Sequence, residues 1–171
     1  EVGCGNGHFL NERSNHYPDI NFIGLDISRK RVIKSIYKVF KREATNDKFI
    51  NFEGRKVLEN HFAKNSIDTV YLNFPDPWPK RKHHKNRIFK EEFLELLYQK
   101  LKLNGTFYAV SDHKNYFFEI LAILEKNPKF LNAFTTRYRH QLDEEYQVSL
   151  YEEKWRKMDK EIYYLKFKSI N

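Results

Sequence analysis

The sequence has a single cysteine, Cys4. No internal disulfide can form, and a cysteine-based metal site is excluded with it. That usage suits the cytosol. Long apolar runs are missing too: none approaches the ~18 residues of a membrane span. No charged-then-apolar signal segment opens the chain. These absences read as a cytoplasmic protein with no membrane partner. Acidic residues are the minority charge, 23 Asp and Glu against 31 Lys and Arg, for a formal charge of +8. The excess favours a polyanionic partner, nucleic acid or an acidic membrane surface, without choosing between them. Repeats and low-complexity linkers are absent. At 171 residues, with 40% apolar and 16% aromatic composition, the chain fits one folded domain over 1–171.

Glycine is sparse, yet three of the six glycines fall in the opening Glu1-Val2-Gly3-Cys4-Gly5-Asn6-Gly7. The chain starts without Met. A strand of ~5–6 residues should precede such a turn, and only Glu1 and Val2 of it are present, so we expect truncation within the first strand.

Downstream, β-rich runs alternate with helical ones, which predicts an α/β fold with a mainly parallel sheet. The expected elements are a helix over 7–16, a strand over 21–27, a basic helix over 29–42 and a strand over 49–53. Ile67–Asn73 reads as the strongest and most central strand. Three prolines predict a loop from Phe74 to His84. Phe89, Phe93, Leu96, Leu97 and Leu101 recur at helical spacing, and Gly105 is expected to end that helical region. A strand over 106–110, a helix over 116–126 and strands over 132–138 and 161–168 follow.

Three segments carry chemistry. The glycine turn lies between a strand and a helix, where a ligand can approach the backbone. The second strand ends in Asp26, 23 residues after Gly3. A carboxylate there can accept hydrogen bonds from ribose hydroxyls, so the pair implies an adenosine-bearing cofactor, a dinucleotide or S-adenosylmethionine. Asn73-Phe74-Pro75-Asp76-Pro77-Trp78-Pro79-Lys80 follows the strong strand, and its prolines would hold Asp76 and Trp78 in place. Lys80 to Arg87 then runs basic without one acid, which beside a rigid loop reads as phosphate binding. Adjacent His83 and His84 lack a cysteine or clear carboxylate partner, so no metal is expected. Gly3, Asp26, Asp76 and Asp112 each follow a different predicted strand, and all fall at the carboxyl edge where open α/β sheets bind ligands. Asp112 also suits a helix N-cap.

Phe74 to Ile88 resembles the signature of bacterial tRNA (guanine-N7)-methyltransferases, and Glu1 to Gly7 resembles their cofactor loop. Ser149-Leu150-Tyr151-Glu152-Glu153-Lys154-Trp155 and Ile162-Tyr163 are similar to two later motifs of that family. The resemblance covers essentially the whole chain. It implies a Rossmann-like class I methyltransferase fold, with an antiparallel last strand and helices on both faces. It implies methyl transfer from S-adenosylmethionine to N7 of a tRNA guanosine in the variable loop, with S-adenosyl-L-homocysteine as product. Carried over, Glu1, Gly3, Cys4, Gly5, Gly7, Asp26, Asn73 and Asp76 would bind cofactor. Asp76 would be the catalytic carboxylate, and Lys80, Asp112 and the segment from Ser149 to Glu152 would bind the guanosine region. Arg81, Lys82, Lys85 and Arg87 would contact tRNA phosphates. The family commonly has Asp or Asn then Ala near the adenine, where Gly54-Arg55-Lys56 stand here; Asn51 or Glu53 is the substitute. It also has a glycine where Asp159 stands. Two other readings stay open: methyl transfer to another nucleic-acid amine, which Asn-x-Pro-x loops also serve, and a catalytically silent RNA-binding subunit.

Overall fold

Two β-sheets are stitched together by the first three residues. The structure, a computed structural model, describes residues 1–141, 146 and 148–170. Strand β1 (Phe22–Asp26) pairs in parallel with β2 (Asp47–Asn51). Strand β3 (Ile67–Asn73) pairs in parallel with β4 (Leu101–Ser111). Strand β6 (Tyr163–Ser169) lies antiparallel between β4 and β5 (Phe130–Asn132). Residues 1–3 fill the gap between β1 and β3. The Val2 amide donates to the Tyr71 carbonyl at 2.9 Å, and the Leu25 amide donates to the Glu1 carbonyl at 2.9 Å. The continuous order is therefore β2-β1-(1–3)-β3-β4-β6-β5.

Strand side chains alternate between two cores, as a pleat requires. Phe107, Ala109, Leu165 and Phe167 join one cluster; Tyr108, Val110 and Tyr164 join the other. The first is covered by α3 (Gly54–His61), α4 (Glu91–Lys100) and α5 (Lys114–Lys126), through residues such as Val57, Phe93 and Phe117. The second takes Phe9 and Leu10 from α1 (His8–His16). Helices thus cover both faces of a mainly parallel sheet with antiparallel strands at one side. Phe89, Phe93, Phe107 and Phe117 are fully buried, each stabilising the fold by roughly 1.5–3 kcal/mol. Helix α2 (Arg29–Arg42) is fastened at its C-terminal end, where Arg42 pairs with buried Asp47 at 3.0 Å and Ser14 donates to the same carboxylate.

Several expectations are corrected. The helix before Gly105 ends at Lys100, whose ammonium donates to the Glu59 and Phe62 carbonyls and so caps the end of α3. Strand β4 begins at Leu101, and Gly105 sits inside it, where the register to β3 shifts between Ile67 and Thr69. The strand expected over 132–138 stops at Asn132, because its side chain turns the chain. The amide donates to the Thr136 and Arg137 carbonyls, and its oxygen accepts from the Phe134 amide. The expected loop holds as far as Lys80; a 3-10 turn over Arg81–Asn86 follows, past the last proline. Helices α3 and α6 (Leu150–Arg156) had no sequence counterpart.

Helix α1 enters through Gly7, which has φ 67. A Cβ there would lie 2.6 Å from the Ser35 hydroxyl and 2.8 Å from the Phe49 ring. Gly7→Ala should therefore destabilise the fold by ~2–3 kcal/mol, through overpacking and a disfavoured dihedral. Chemical denaturation checks this; an unchanged midpoint would show that α2 yields at no cost.

Candidate active site

The parallel strands deliver their carboxyl ends to one edge, and most candidates stand there. The Gly3 and Gly5 positions open outward: a Cβ built on either meets nothing within 4 Å. Asp26 closes the turn from below. Its Oδ2 accepts from the Gly5 amide at 2.9 Å and its Oδ1 from the Ser28 amide at 2.7 Å. Cys4 points inward, and burial pushes its thiol up to about 12. Its contribution at the edge is backbone only. Asn51 lies opposite Asp26 in register and donates to the Asp26 carbonyl. Gly54-Arg55-Lys56 is the first turn of α3, and Glu53 pairs with Lys56 at 3.4 Å.

A chain of hydrogen bonds crosses the edge. Tyr146 donates its hydroxyl to Asn73 Oδ1 at 3.0 Å, and Asn73 Nδ2 donates to Glu1 Oε1 at 2.9 Å. Burial pushes the Glu1 carboxyl up to about 7, and it holds the Tyr146 phenol well above its usual range. Beyond Asn73 the loop is bounded by two left-handed residues, Phe74 at φ 49 and Trp78 at φ 43. The Phe74 ring packs edge-on to Tyr151, and Trp78 packs edge-on to His83. Asp76 is exposed at the tip of this bracket.

Lys80, Arg81, Lys82 and Lys85 are exposed around the 3-10 turn. Arg87 is not with them. It is buried, donates from Nε to the Pro77 carbonyl at 2.8 Å, ion-pairs with Glu119 and lies over the Tyr116 ring. It holds the proline loop from inside, which its place in a basic run could not reveal.

The remaining candidates approach from the C-terminal side. Asp112 follows β4 and pairs with Lys160 at 3.6 Å. It is not the cap of α5; His113 is, accepting from the Tyr116 amide. Ser149 caps α6 by accepting from the Glu152 amide at 3.2 Å. Glu152 is wholly buried, bonded to Arg156 at 3.0 Å and to the Tyr164 hydroxyl. Burial raises its pKa. A cavity of about 220 Å³ lined by His140, Arg156 and Lys160 adjoins this corner. Tyr151, inside the Ser149–Glu152 segment expected at the guanosine region, packs against the Phe74 ring. Burial raises its hydroxyl, and the Asp112 and Asp76 carboxylates beside it push the same way. Asp159 adopts φ 51, in the left-handed region that glycine enters most readily.

A cavity of about 450 Å³ between α3 and α4, lined by Glu59, Glu91 and Gln99, contains none of these candidates. Among the described residues, no group of three or more His, Cys, Asp or Glu could hold a metal ion. None of the described helices is long and apolar enough to cross a membrane.

The family model described as "Putative methyltransferase" matches residues 1–165. A tRNA (guanine-N(7)-)-methyltransferase of Pseudoalteromonas translucida is 36% identical over 136 residues, 80% of this chain and 56% of that protein. One of Pseudomonas entomophila is 31% identical over 171 residues, 100% of this chain and 71% of that protein. A third, of Thermotoga maritima, is matched over 51% of its length. The chain thus spans little more than half the length of two of these relatives. In fold, the chain is similar to a SAM-dependent methyltransferase of Aquifex aeolicus. The TM-score is 0.65 at 15% identity, over 99% of this chain and 80% of that one.

The buried setting of Arg87 separates it from its neighbours experimentally. Arg87→Met should destabilise the protein by about 2 kcal/mol, since the Pro77 carbonyl loses its donor and Glu119 its partner. The salt dependence of RNA binding should stay unchanged. A flattened salt slope with an unchanged melting temperature would return Arg87 to the phosphate-contact set.

Proposed function

The chain belongs to the tRNA (guanine-N(7)-)-methyltransferase family, and from that premise we propose that it methylates N7 of a guanosine in tRNA. The methyl donor is S-adenosylmethionine, the product S-adenosyl-L-homocysteine, and the target base lies in the variable loop. Residues 1–171 act as one methyltransferase domain. The observation that carries the reading is the 2.9 Å hydrogen bond from Asn73 to Glu1. It joins the Pro-Asp-Pro-Trp loop to the glycine turn, and transfer between two bound molecules requires such a juxtaposition.

The residues present fit the cofactor. Gly3 and Gly5 leave open space above the turn. Each Asp26 oxygen accepts one amide, which leaves lone pairs for ribose hydroxyls. Asn51, beside Asp26, stands in for the adenine-side residue the family usually carries. S-adenosylmethionine, when bound, supplies a methyl group on a cationic sulfur.

Guanine N7 already carries a lone pair, so no residue has to remove a proton from it. The protein's task is orientation, together with balancing the positive charge that the purine gains. Asp76 suits both: held out on a stiff loop, its carboxylate accepts guanine N–H groups and faces the developing charge. Lys80, Asp112 and Ser149 frame the guanosine. Buried Glu152 supports that frame through Arg156 and Tyr164. Arg81, Lys82 and Lys85 contact phosphates beside the target base.

Unmodified tRNA incubated with labelled cofactor and mapped by nucleoside should yield 7-methylguanosine. A label on an exocyclic amine would transfer the reading to another nucleic-acid methyltransferase, and no label would favour a silent subunit. In Asp76→Asn, which keeps the shape and removes the charge, turnover should fall by ~10²-fold with tRNA affinity largely kept. Wild-type turnover would remove Asp76 from the mechanism.

The phosphate contacts have their own signature. Replacing Arg81 and Lys82 together by Ala should flatten the slope of log affinity against log salt by up to ~2 units, about one per lost contact. Cofactor affinity should not move, because the glycine turn and Asp26 are untouched. An unchanged slope across the salt series would make the run an ordinary solvated face.

A further inference from the structure

Much positive charge lies outside the proposed site, and a dense block of it sits on α2. That helix buries only Val32 and Ser35. Its outer side carries Ile33, Ile36, Tyr37 and Phe40, between 48% and 78% exposed. The spacing i, i+3, i+4, i+7 makes them one continuous stripe. Exposed cations border the stripe: Arg29, Lys30, Arg31 and Lys34. None of the four has an ion-pair partner among the described residues. Arg42, at the other end of the helix, pairs with Asp47. The first turn of α2 contains no acid, so three cations crowd the positive end of the helix dipole, an unfavourable placement. The Asp26 carboxylate, which accepts from the N-cap Ser28 amide at 2.7 Å, offsets part of that repulsion; a bound polyanion would offset more.

The helix is also anchored beside the glycine turn. Lys38 donates to the Asn6 carbonyl at 2.9 Å, and Ser35 donates to the Gly5 carbonyl at 3.3 Å. Its first turn begins three residues after Asp26, at the carboxyl edge. From there it extends for about 21 Å at 1.5 Å per residue. We propose that the outer face of α2 is a second docking surface for the tRNA. Its cations take phosphates, and Tyr37 and Phe40 pack on unstacked bases or riboses. The inference rests on tRNA being the substrate. A second copy of the chain is a poor occupant, because both copies would bring a formal charge of +8. RNA, by contrast, meets the charge of α2 and that of the 80–85 run with one polyanion.

The test uses the whole protein and an unmodified tRNA transcript, with binding measured across a salt series. K30A/K34A should flatten the slope by up to ~2 units, and K30R/K34R should restore it. Y37A/F40A should weaken binding roughly 10-fold, through lost stacking, with the slope unchanged. All these side chains are exposed, so melting temperature and S-adenosylmethionine affinity should match wild type. Wild-type slope and affinity in both alanine variants would overturn the proposal. So would a loss confined to phosphatidylserine vesicles, which would make α2 a membrane-facing helix. If no 7-methylguanosine forms yet the variants still lose tRNA binding, the docking surface stands and the reaction reading falls. If 7-methylguanosine forms and the variants bind as wild type, only the docking surface falls.

Discussion

The backbone of Glu1, Val2 and Gly3 is the constraint on which the rest depends. It is paired on both sides, with β1 through Leu25 and with β3 through Tyr71. A buried strand needs those partners, because an unmet backbone group costs about as much as a lost hydrogen bond. Without this segment β1–β2 and β3–β4–β6–β5 are separate sheets. The same few bonds fix where the glycine turn emerges. Sheet closure and site geometry are therefore one event, and Asp26 extends the bracing by holding the Gly5 amide.

Elements with a strong local period were legible in the sequence. The basic helix over 29–42 and the strand over 67–73 have the expected bounds, and the glycine turn and Asp26 meet at one edge as expected. What failed depends on distant partners or on side-chain chemistry. Asn132 ends β5 with its own amide, a competition that β-propensity does not register. Helices α3 and α6 are only eight and seven residues long, too short for periodicity to stand out. Arg87 looks like Lys85 in sequence, yet its partner Glu119 lies 32 residues away. Tyr146 reaches Asn73 across 73 residues.

The site combines stiffness with modest local charge. Left-handed Phe74 and Trp78 bracket Pro75–Pro77, and Arg87 ties the loop down from inside. Each such non-glycine residue costs roughly 1–2 kcal/mol, a strain that the surrounding packing sustains. The proposed reaction, governed by orientation, would benefit, since the loop would have little freedom left to lose on binding a base. In the proposed reaction the exposed cations would act at the periphery, drawing the polyanion in without touching the reacting atoms.

The hydrogen-bond chain through Asn73 has a direction, and loss of its amide nitrogen would break it at Glu1. One end of the side chain accepts from Tyr146 and the other donates to Glu1. Hydrolysis of the amide to an acid would keep the shape and remove the Nδ2 donor that faces Glu1. Two carboxyl groups would then meet in a buried setting where one is already pushed up to about 7. Like charges there cannot both ionise without cost. The joint between the first strand and β3 would then hold only while one of the two carboxyls kept a proton to donate. Deamidation at this one position would accordingly make the joint at the sheet's centre sensitive to pH, which a neutral amide is not.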